Sequence, residues 1–380
     1  MHRCLTTPET AVCSITHAYP NLITALRTNN PQALIRFDQA NLLSNKPSSK
    51  PIKPENYALP GNADHRRPMK YPALLVAFIL VSVSLNAFEP PSADIRAKAL
   101  GSLENEPALL QRLLTPDEDF APIRTPRPGD WLDAHSEHGQ TFSGYGTVGF
   151  NRPTATRNVI YLVPLGEFPA DNSPLLEDLR AFAEAYFQLT VKILPAVPID
   201  EAKFTPRINE QSQKRQVCSM DIINFLKTQL PSDAYCLLGV TMDDLYPSPA
   251  WNYVFGQASL TSRVGIYSFA RYDPAFFGEK RPNDYRQIIL LRSCKVLAHE
   301  TTHMFGLPHC IYFECLVNGS NNLSEADLCP LQLCPVCLRK LHFNVQFNPV
   351  TRYEELAKFY HAHDWDDEAR WTDRQLAKAK

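Results

Sequence analysis

One run of residues has the composition and spacing of a zinc-dependent hydrolytic site: His299-Glu-Thr-Thr-His303-Met-Phe-Gly306-Leu-Pro-His309, or H-E-x-x-H-x-x-G-x-x-H. Residues four apart share one face of a helix, so His299 and His303 can bind one metal ion together. Glu300 projects beside them, where its carboxylate can take a proton from a metal-bound water. Gly306 can turn the chain with a positive φ that a Cβ would oppose, and the turn returns His309 as a third ligand. Three protein ligands and one open position are typical of a catalytic zinc.

A bare H-E-x-x-H pattern also occurs by chance in unrelated helices, so the zinc interpretation depends on the other residues of the run. The glycine and the third histidine at fixed offsets argue against coincidence. Apolar residues at 288–291 and 296–298 flank the motif, as expected for a helix that crosses a core. We therefore predict an active-site helix from about Tyr285 to about Phe305.

Four cysteines after this motif have the spacing of a second, structural zinc site. Cys310 and Cys315 form C-x4-C, Cys334 and Cys337 form C-x2-C, and eighteen residues separate the pairs. Two close thiolate pairs separated by a loop usually close a four-coordinate zinc. The alternatives are two disulfides or free buried thiols, but the Cys-Pro-Val-Cys turn resembles a zinc knuckle and favours zinc. Cys329, in the same loop, is a spare or competing ligand.

The extended histidine motif and the four cysteines together resemble the archaemetzincin family of metalloproteases, and its eukaryotic type in particular. The resemblance also includes residues 255–261, 264–272, 290–295 and 318–327, and it runs from about residue 120 to about residue 360. It implies a zinc metallopeptidase with a metzincin-like α/β fold, in which a mixed twisted sheet accompanies the active-site helix. The three histidines would hold the catalytic zinc, Glu300 would be the general base, and the four cysteines would hold the structural zinc.

One position departs from the family pattern. Metzincins carry a methionine in a tight turn beneath the catalytic zinc, and the family pattern places it two residues after the second cysteine, where this chain has Val317. Leu316 and Val317 can still form an apolar floor, although valine is stiffer and shorter than methionine. No ligand is affected, so we expect the metal site to be kept in a slightly altered form.

The resemblance also implies how a substrate would lie. In metzincins the strand upstream of the active-site helix forms the cleft edge and pairs with an extended peptide, and residues 256–270 correspond to that edge. Tyr267 and Arg271 are candidates for substrate contact, although a structural role is the stronger interpretation. The expected activity is hydrolysis of peptides or proteins, as an amino- or endopeptidase. The alternative is a zinc-stabilised peptide-binding module with little turnover, and the carboxylate of Glu300 argues against it.

The elements that must position these residues indicate an α/β domain. Apolar runs predict strands, at residues 158–165, 191–194, 235–241 and, as a split pair, within 256–270. Amphipathic patterns predict helices, at residues 173–189, 221–230, 285–305 and from 349 onward. Ser173 and Pro174 would form the N-cap and first turn of the first of these helices. This order suggests a mixed sheet with helices, followed by a zinc-stabilised C-terminal subdomain.

Composition limits the classes of function and the domain organisation. The 380 residues carry a net charge of −2, so nothing indicates a nucleic-acid partner. Thirty-two prolines against fourteen glycines suggest long stretches without regular structure, mainly before residue 155. We predict five regions: a disordered extension at 1–68, a signal-like or membrane segment at 69–88, a proline-rich extended region at 89–155, a catalytic subdomain at 156–306 and a C-terminal subdomain at 307–380.

The apolar run at residues 73–85 carries no charge and follows several basic residues. Its length is short for a membrane span but typical of the core of a signal peptide. We therefore expect export or membrane association through residues 73–88, with a buried element of the soluble domain as the alternative. A thiolate zinc site is easier to keep in a reducing compartment, which favours the cytoplasm instead. Two zinc ions per chain are the expected cofactors, and the sequence indicates no particular oligomeric state.

Overall fold

The computed structural model of the protein describes residues 88–148, 151–259 and 261–380, together with the strand Leu34–Asp38. The predicted signal-like segment at 69–88 lies outside the described residues except for Phe88, and the predicted extension at 1–68 lies outside them except for that strand. Within the described ranges, no helix has both the length and the apolar character needed to cross a membrane.

One mixed sheet organises the described chain. Its strands are β1 (Leu34–Asp38), β2 (Val159–Leu165), β3 (Val191–Ile193), β4 (Pro206–Ile208), β5 (Arg215–Cys218), β6 (Ala234–Thr241), β7 (Asp244–Tyr246), β8 (Val254–Ser259) and β9 (Val264–Ser268). The spatial order is β3-β2-β6-β9-β8-β7-β5-β4, and β1 pairs with β8. Strands β3, β2, β6 and β9 are mutually parallel, whereas β8 runs antiparallel to both β9 and β1. The predicted mixed sheet is therefore confirmed.

Eleven helices accompany the sheet in the described residues. They are α1 (Ala93–Leu100), α2 (Ala108–Leu114), α3 (Trp131–Ala134), α4 (Phe142–Thr147), α5 (Leu176–Phe187), α6 (Ser219–Gln229), α7 (Tyr285–Met304), α8 (Leu323–Leu328), α9 (Pro335–Val345), α10 (Pro349–Ala362) and α11 (Asp366–Ala379). Two short 3-10 turns, Ala270–Tyr272 and Pro274–Phe277, link β9 to α7.

The central strands are buried on both faces, which explains their continuous apolar runs. In β2, Ile160 and Leu162 point into a large core that contains α5 and α7. The alternate residues Val159, Tyr161 and Val163 point into a smaller core on the other face, formed with α6. The active-site helix thus packs on one face of the sheet, and its position is set by the larger core.

Two predicted helices differ from the structure by more than two residues at an end. Helix α5 begins at Leu176 and not at Ser173, because Ser173 belongs to a preceding turn in which its N–H donates to the carbonyl of Pro169 at 3.0 Å. The helix predicted from residue 349 onward is divided into α10 and α11, because the backbone adopts a left-handed conformation at Asp364, with φ of 55°.

The region at 89–155, predicted as extended, contains α1 to α4. Its turn residues act as helix caps: the Ser92 hydroxyl accepts the N–H of Ile95 at 3.4 Å, and the Thr141 hydroxyl accepts that of Gly144 at 3.0 Å. Pro107 directly precedes α2, a position where proline is compatible with a helix start. The prolines of this region therefore separate short helices, a pattern that composition by itself could not distinguish from extended chain.

Candidate metal centres

The last turns of α7 present the first two histidines of the motif. The rings of His299 and His303 have centroids 4.6 Å apart, and their Nε2 atoms are 3.0 Å apart. With Zn–N bonds of about 2.0–2.1 Å in tetrahedral geometry, two ligating nitrogens lie roughly 3.3 Å apart. The pair is therefore close to the spacing that one zinc ion requires.

Side chains from three other elements hold the end of α7. The hydroxyl of Tyr235, on β6, donates to the carbonyl of Met304 at 2.9 Å, and the hydroxyl of Tyr145, on α4, donates to the carbonyl of Phe305 at 2.6 Å. Asn344, on α9, donates to the same Phe305 carbonyl at 3.3 Å. These donors satisfy carbonyls that a helix end leaves without intrahelical partners. The point at which the chain leaves the helix is thus fixed from several sides.

Gly306 then turns the chain back, with φ of 83°, which is the positive φ that the motif predicted. As a result, the ring centroid of His309 lies 5.5 Å from that of His299 and 5.0 Å from that of His303. All three side chains are buried, and one nitrogen of each lies within 4.8 Å of the others. The structure therefore brings together the three histidines that the sequence proposed as ligands.

The second ring nitrogen of each histidine is bound to an oxygen. The Nδ1 atoms of His299, His303 and His309 are 2.8, 2.6 and 2.9 Å from the Leu316 carbonyl, the Leu307 carbonyl and the Glu137 carboxylate, respectively. Each oxygen accepts a hydrogen bond from Nδ1–H, so Nε2 remains as the metal-facing nitrogen. Burial lowers the pKa of His299 to about 3 and also lowers the pKa of His303, which keeps both rings neutral. This donor set fits a zinc ion.

Glu300 is fully buried beside these ligands. No side chain or backbone group in the described part of the chain hydrogen-bonds to either of its carboxylate oxygens. A buried carboxylate without a partner is costly, so such a group generally has a role that water, metal or substrate completes. Burial raises the pKa of Glu300 to about 8. The position suits a group that exchanges protons at a metal site.

The four predicted zinc-binding cysteines form a separate buried cluster. Their sulfurs lie within 4.8 Å of one another, and those of Cys310 and Cys334 are 3.6 Å apart. Zn–S bonds of about 2.3 Å place tetrahedral sulfurs roughly 3.8 Å apart, so the cluster fits zinc and not a disulfide. Cys329 does not join it, because its sulfur lies 3.6 Å from both the Ser320 hydroxyl and the Glu325 carbonyl.

The turn after the second cysteine lies under the histidines, as the family resemblance implied. Leu316 and Val317 are buried, and the Val317 carbonyl accepts the N–H of Cys310 at 2.8 Å. The side chain of Asn318 closes the turn: it accepts the N–H of Cys315 at 2.7 Å and donates to the carbonyl of Cys310 at 2.7 Å. Backbone and asparagine contacts therefore define this turn without any contribution from a methionine side chain.

Tyr267 and Arg271, the candidates for substrate contact, lie in the core. Tyr267 is fully buried in β9, and Arg271 donates to both carboxylate oxygens of Asp244 at 2.7 Å and lies 3.4 Å over the ring of Tyr253. These contacts give Arg271 a structural role, and Tyr267 lies in the core by its burial alone. Residues 256–270 were also predicted to form the edge of the cleft that pairs with a substrate peptide. In the structure β9 is instead an interior strand, and the outer edge of β8 pairs with β1.

A cleft opens beside His299. Its apolar lining comes from β8, α7, α8 and the adjoining turns, and consists mainly of Phe255, Tyr272, Val296, Leu316 and Leu323. Arg292, Lys295 and Asp327 also line it, and Arg292 forms an ion pair with Asp327 at 2.6 Å. The cleft could therefore take an apolar side chain next to His299, the one proposed ligand that lines it.

Sequence reasoning missed Glu137, which touches the third histidine. Its carboxylate accepts a hydrogen bond from His309 Nδ1 and another from Trp131 Nε1, each at 2.9 Å. Burial would raise the pKa of Glu137, but these two hydrogen bonds lower it below its usual value, so the group is a carboxylate. Because 172 residues separate Glu137 from His309, no local spacing marks the pair.

Comparisons with known proteins found a matching family and several relatives. The sequence pattern described as Peptidase family M54 matches residues 220–343, which include the three histidines, Glu300 and the four clustered cysteines. Archaemetzincin-2 of Macaca fascicularis is 38% identical over 297 residues, which cover 70% of this chain and 81% of that protein. Archaemetzincin-2 of Homo sapiens is 38% identical over 284 residues, which cover 67% and 78%. The crystal structure of archaemetzincin from Methanopyrus kandleri is 26% identical, with a TM-score of 0.40, and covers 51% of this chain and 99% of that chain.

Proposed function

Because this chain belongs to the archaemetzincins, peptidase family M54, we propose that it hydrolyses peptide bonds at a zinc ion held by His299, His303 and His309. The observation that carries the proposal is the convergence of three buried imidazoles, each with its Nδ1 bound to an oxygen. When bound, zinc would act as a Lewis acid that lowers the pKa of a water molecule and polarises the scissile carbonyl.

Glu300 is the general base in this proposal. Its carboxylate accepts the proton that the attacking water loses, and it then gives this proton to the nitrogen of the leaving amine. Two features support the role: the side chain directly follows a proposed ligand in the chain, and its buried oxygens lack a hydrogen-bonding partner in the described residues. Nothing would therefore have to be displaced before the carboxylate meets a water molecule.

The cysteine cluster would hold a second zinc with a structural role. Four thiolates fill a tetrahedral coordination shell and leave no open position for a substrate. Cys310 follows His309 directly, so this zinc would also fix the backbone that carries the third histidine. The Val317 carbonyl binds the N–H of Cys310, which links the cluster to the turn beneath His299. We therefore propose two zinc ions per chain, of which only the histidine-bound ion takes part in hydrolysis.

The cleft beside His299 suggests the preferred substrate. Because its lining is largely apolar and it lies next to a proposed ligand, we propose that an apolar side chain adjacent to the scissile bond occupies it. A panel of peptides that vary this residue, each with a free and with an acetylated amino terminus, tests this preference. Cleavage of the acetylated set would identify an endopeptidase, and cleavage restricted to free amino termini would identify an aminopeptidase.

The decisive experiment for hydrolysis is Glu300→Gln, which keeps the size of the side chain but removes the base. The variant should retain its zinc and lose about 10²–10⁴-fold in the rate of peptide cleavage, the usual contribution of a general base. Glu354→Gln, on the exposed face of α10, is the matched control and should cleave as the parent does. If Glu300→Gln is as active as the parent, the assigned base is wrong. If the parent cleaves none of the peptides, the binding-module alternative is favoured.

A further inference from the structure

We propose that Glu137 is a positioning residue for the third zinc ligand: its carboxylate accepts a hydrogen bond from the Nδ1–H of His309 and thereby directs Nε2 towards the zinc. The inference rests on the proposed function, because it takes His309 to be a ligand. Glu137 belongs to residues 129–140, which we call the strap. The strap comes from the region before the catalytic subdomain, and the family pattern that covers the ligands does not include it.

The three histidines are oriented by different means. His299 and His303 bind backbone carbonyls: that of Leu316, in the turn after Cys315, and that of Leu307, four residues after His303 in the chain. His309 follows the glycine turn and has a side-chain partner that is remote in sequence. A carboxylate partner fixes the tautomer of a ligating histidine and raises its basicity, which strengthens metal binding. Among the three proposed ligands, His309 is thus the one whose orientation depends on a side chain that can be substituted.

Glu137 is itself held firmly in place. Its side chain is only 10% exposed, and the indole Nε1 of Trp131 donates to the same carboxylate oxygen that His309 contacts, at 2.9 Å. The Trp131 ring also packs edge-on against the ring of His309, with centroids 4.8 Å apart. Behind it, the backbone N–H of Trp131 donates to the carboxylate of Glu325 at 2.9 Å. The carboxylate of Glu137 is therefore preorganised and does not have to be recruited from solvent.

Close backbone contacts tie the strap to the zinc loop. A Cβ added to Gly319 would lie 2.4 Å from the ring of Trp131, so the ring rests directly on the loop backbone. A Cβ added to Gly139 would lie 2.7 Å from the side chains of Ile311 and Tyr312, and φ at Gly139 is 66°. Only glycine allows these two approaches. These close approaches pack the strap against the zinc loop, with the Glu137 carboxylate 2.9 Å from Nδ1 of His309.

The test measures zinc affinity in the full chain by chelator competition, which separates a weaker from a tighter class of zinc. Glu137→Ala should weaken the histidine-bound zinc by about 10–100-fold, the effect typical of losing the partner of a ligating histidine. Glu137→Gln should weaken it less, because the amide oxygen still accepts hydrogen bonds. Asp133→Asn is the matched control: its carboxylate binds the N–H of Gly129 in the same strap, and zinc affinity should not change. The cysteine-bound zinc should keep its affinity in all three variants.

A second measurement reports on the contact itself. In zinc-loaded protein with ¹⁵N-labelled histidine, the Nδ1–H signal of His309 should disappear or shift in Glu137→Ala, while those of His299 and His303 stay in place. Unchanged zinc affinity in Glu137→Ala would overturn the inference. An equal loss of zinc affinity in Asp133→Asn, or an equal loss at both zinc sites, would also overturn it, because either result would indicate that the strap has only a structural role. His309→Ala separates the two proposals: if it too leaves both zinc affinities unchanged, the proposed catalytic site has failed, and not only the role of Glu137.

Discussion

Replacing Tyr235 with phenylalanine should destabilise the protein by about 1–3 kcal/mol, whereas Tyr145→Phe should cost only about 0.5–1.5 kcal/mol. The Tyr235 hydroxyl donates to the carbonyl of Met304 at 2.9 Å, and both residues are only 2% exposed. Phenylalanine keeps the ring and its stacking on Phe305 at 4.5 Å, so the change removes little beyond the hydroxyl. The Met304 carbonyl is then left buried without that donor, and the cost approaches the full desolvation penalty of the group.

The smaller cost at Tyr145 follows from a second donor. Its hydroxyl binds the Phe305 carbonyl at 2.6 Å, but Asn344 donates to the same oxygen at 3.3 Å. After Tyr145→Phe, Asn344 can still satisfy the carbonyl, so the loss is closer to that of an ordinary hydrogen bond. Both variants remove one tyrosine hydroxyl. Tyr145→Phe also removes the hydrogen bond that this hydroxyl accepts from Asn344 at 2.8 Å, but the Asn344 amide is then available to the Phe305 carbonyl, whereas no second side-chain donor reaches the Met304 carbonyl in the described residues.

Thermal unfolding in the presence of excess zinc measures both variants. For a domain of 150–250 residues each kcal/mol shifts Tm by about 2–4 °C, and the lower end applies to a chain of this size. Tyr235→Phe should therefore lower Tm by roughly 2–6 °C and Tyr145→Phe by roughly 1–3 °C. Zinc content must be equal in the two variants for the comparison to hold. A neutral Tyr235→Phe, or a larger loss in Tyr145→Phe, would refute the account of how the end of the active-site helix is held.

Three further predictions follow from contacts elsewhere. Arg271→Lys loses the two hydrogen bonds that the guanidinium donates to the buried Asp244, so the urea midpoint of unfolding should fall by the equivalent of about 1–3 kcal/mol. The peptide preference in cleavage should stay the same, and a changed preference would show that Arg271 contacts substrate. Burial raises the pKa of Asp119, but its hydrogen bonds, from Lys378 above all, outweigh this and lower it. The ionised Asp119 carboxylate therefore stabilises the folded protein at pH values above the pKa of an ordinary carboxyl group, and this stabilisation is lost as the pH falls below about 4. Asp119→Asn should remove this acid dependence from unfolding curves. A chain that lacks only residues 69–87, and so keeps the β1 strand that pairs with β8, should fold and hold both zincs; aggregation or loss of metal would place the apolar segment in the core.

The convergence of the three histidines and the helix that carries two of them could be predicted because the motif combines separate physical requirements at fixed offsets. Helix α7 ends at Met304, one residue before the predicted end, and Gly306 has the positive φ that the turn needed. The cysteine cluster was equally accessible, since short spacings bring pairs of sulfurs to one point. The buried strands β2 and β6 were also predictable, because strands covered on both faces form continuous apolar runs.

Features that depend on distant partners were not accessible from the sequence. The short strands β4, β5 and β7 have three or four residues each and are defined by their pairing within the sheet. Glu137 has no spacing relation to His309, and its role emerges only when the strap packs on the zinc loop. Cys329 has the right residue type at a plausible spacing, but local contacts direct its sulfur to Ser320 instead. The export or membrane role of residues 69–88 stays a prediction.

Zinc analysis of the purified full-length chain tests the central claim most directly, because the account requires two separate buried sites, one of histidines and one of cysteines. The intact protein should contain two zinc ions per chain, and His303→Ala should remain folded with one. Cys334→Ser should lose the structural zinc and, with it, much of the stability of the C-terminal part, because binding of a structural zinc is coupled to folding. A single zinc in the intact protein, or two zincs retained in His303→Ala, would contradict the account.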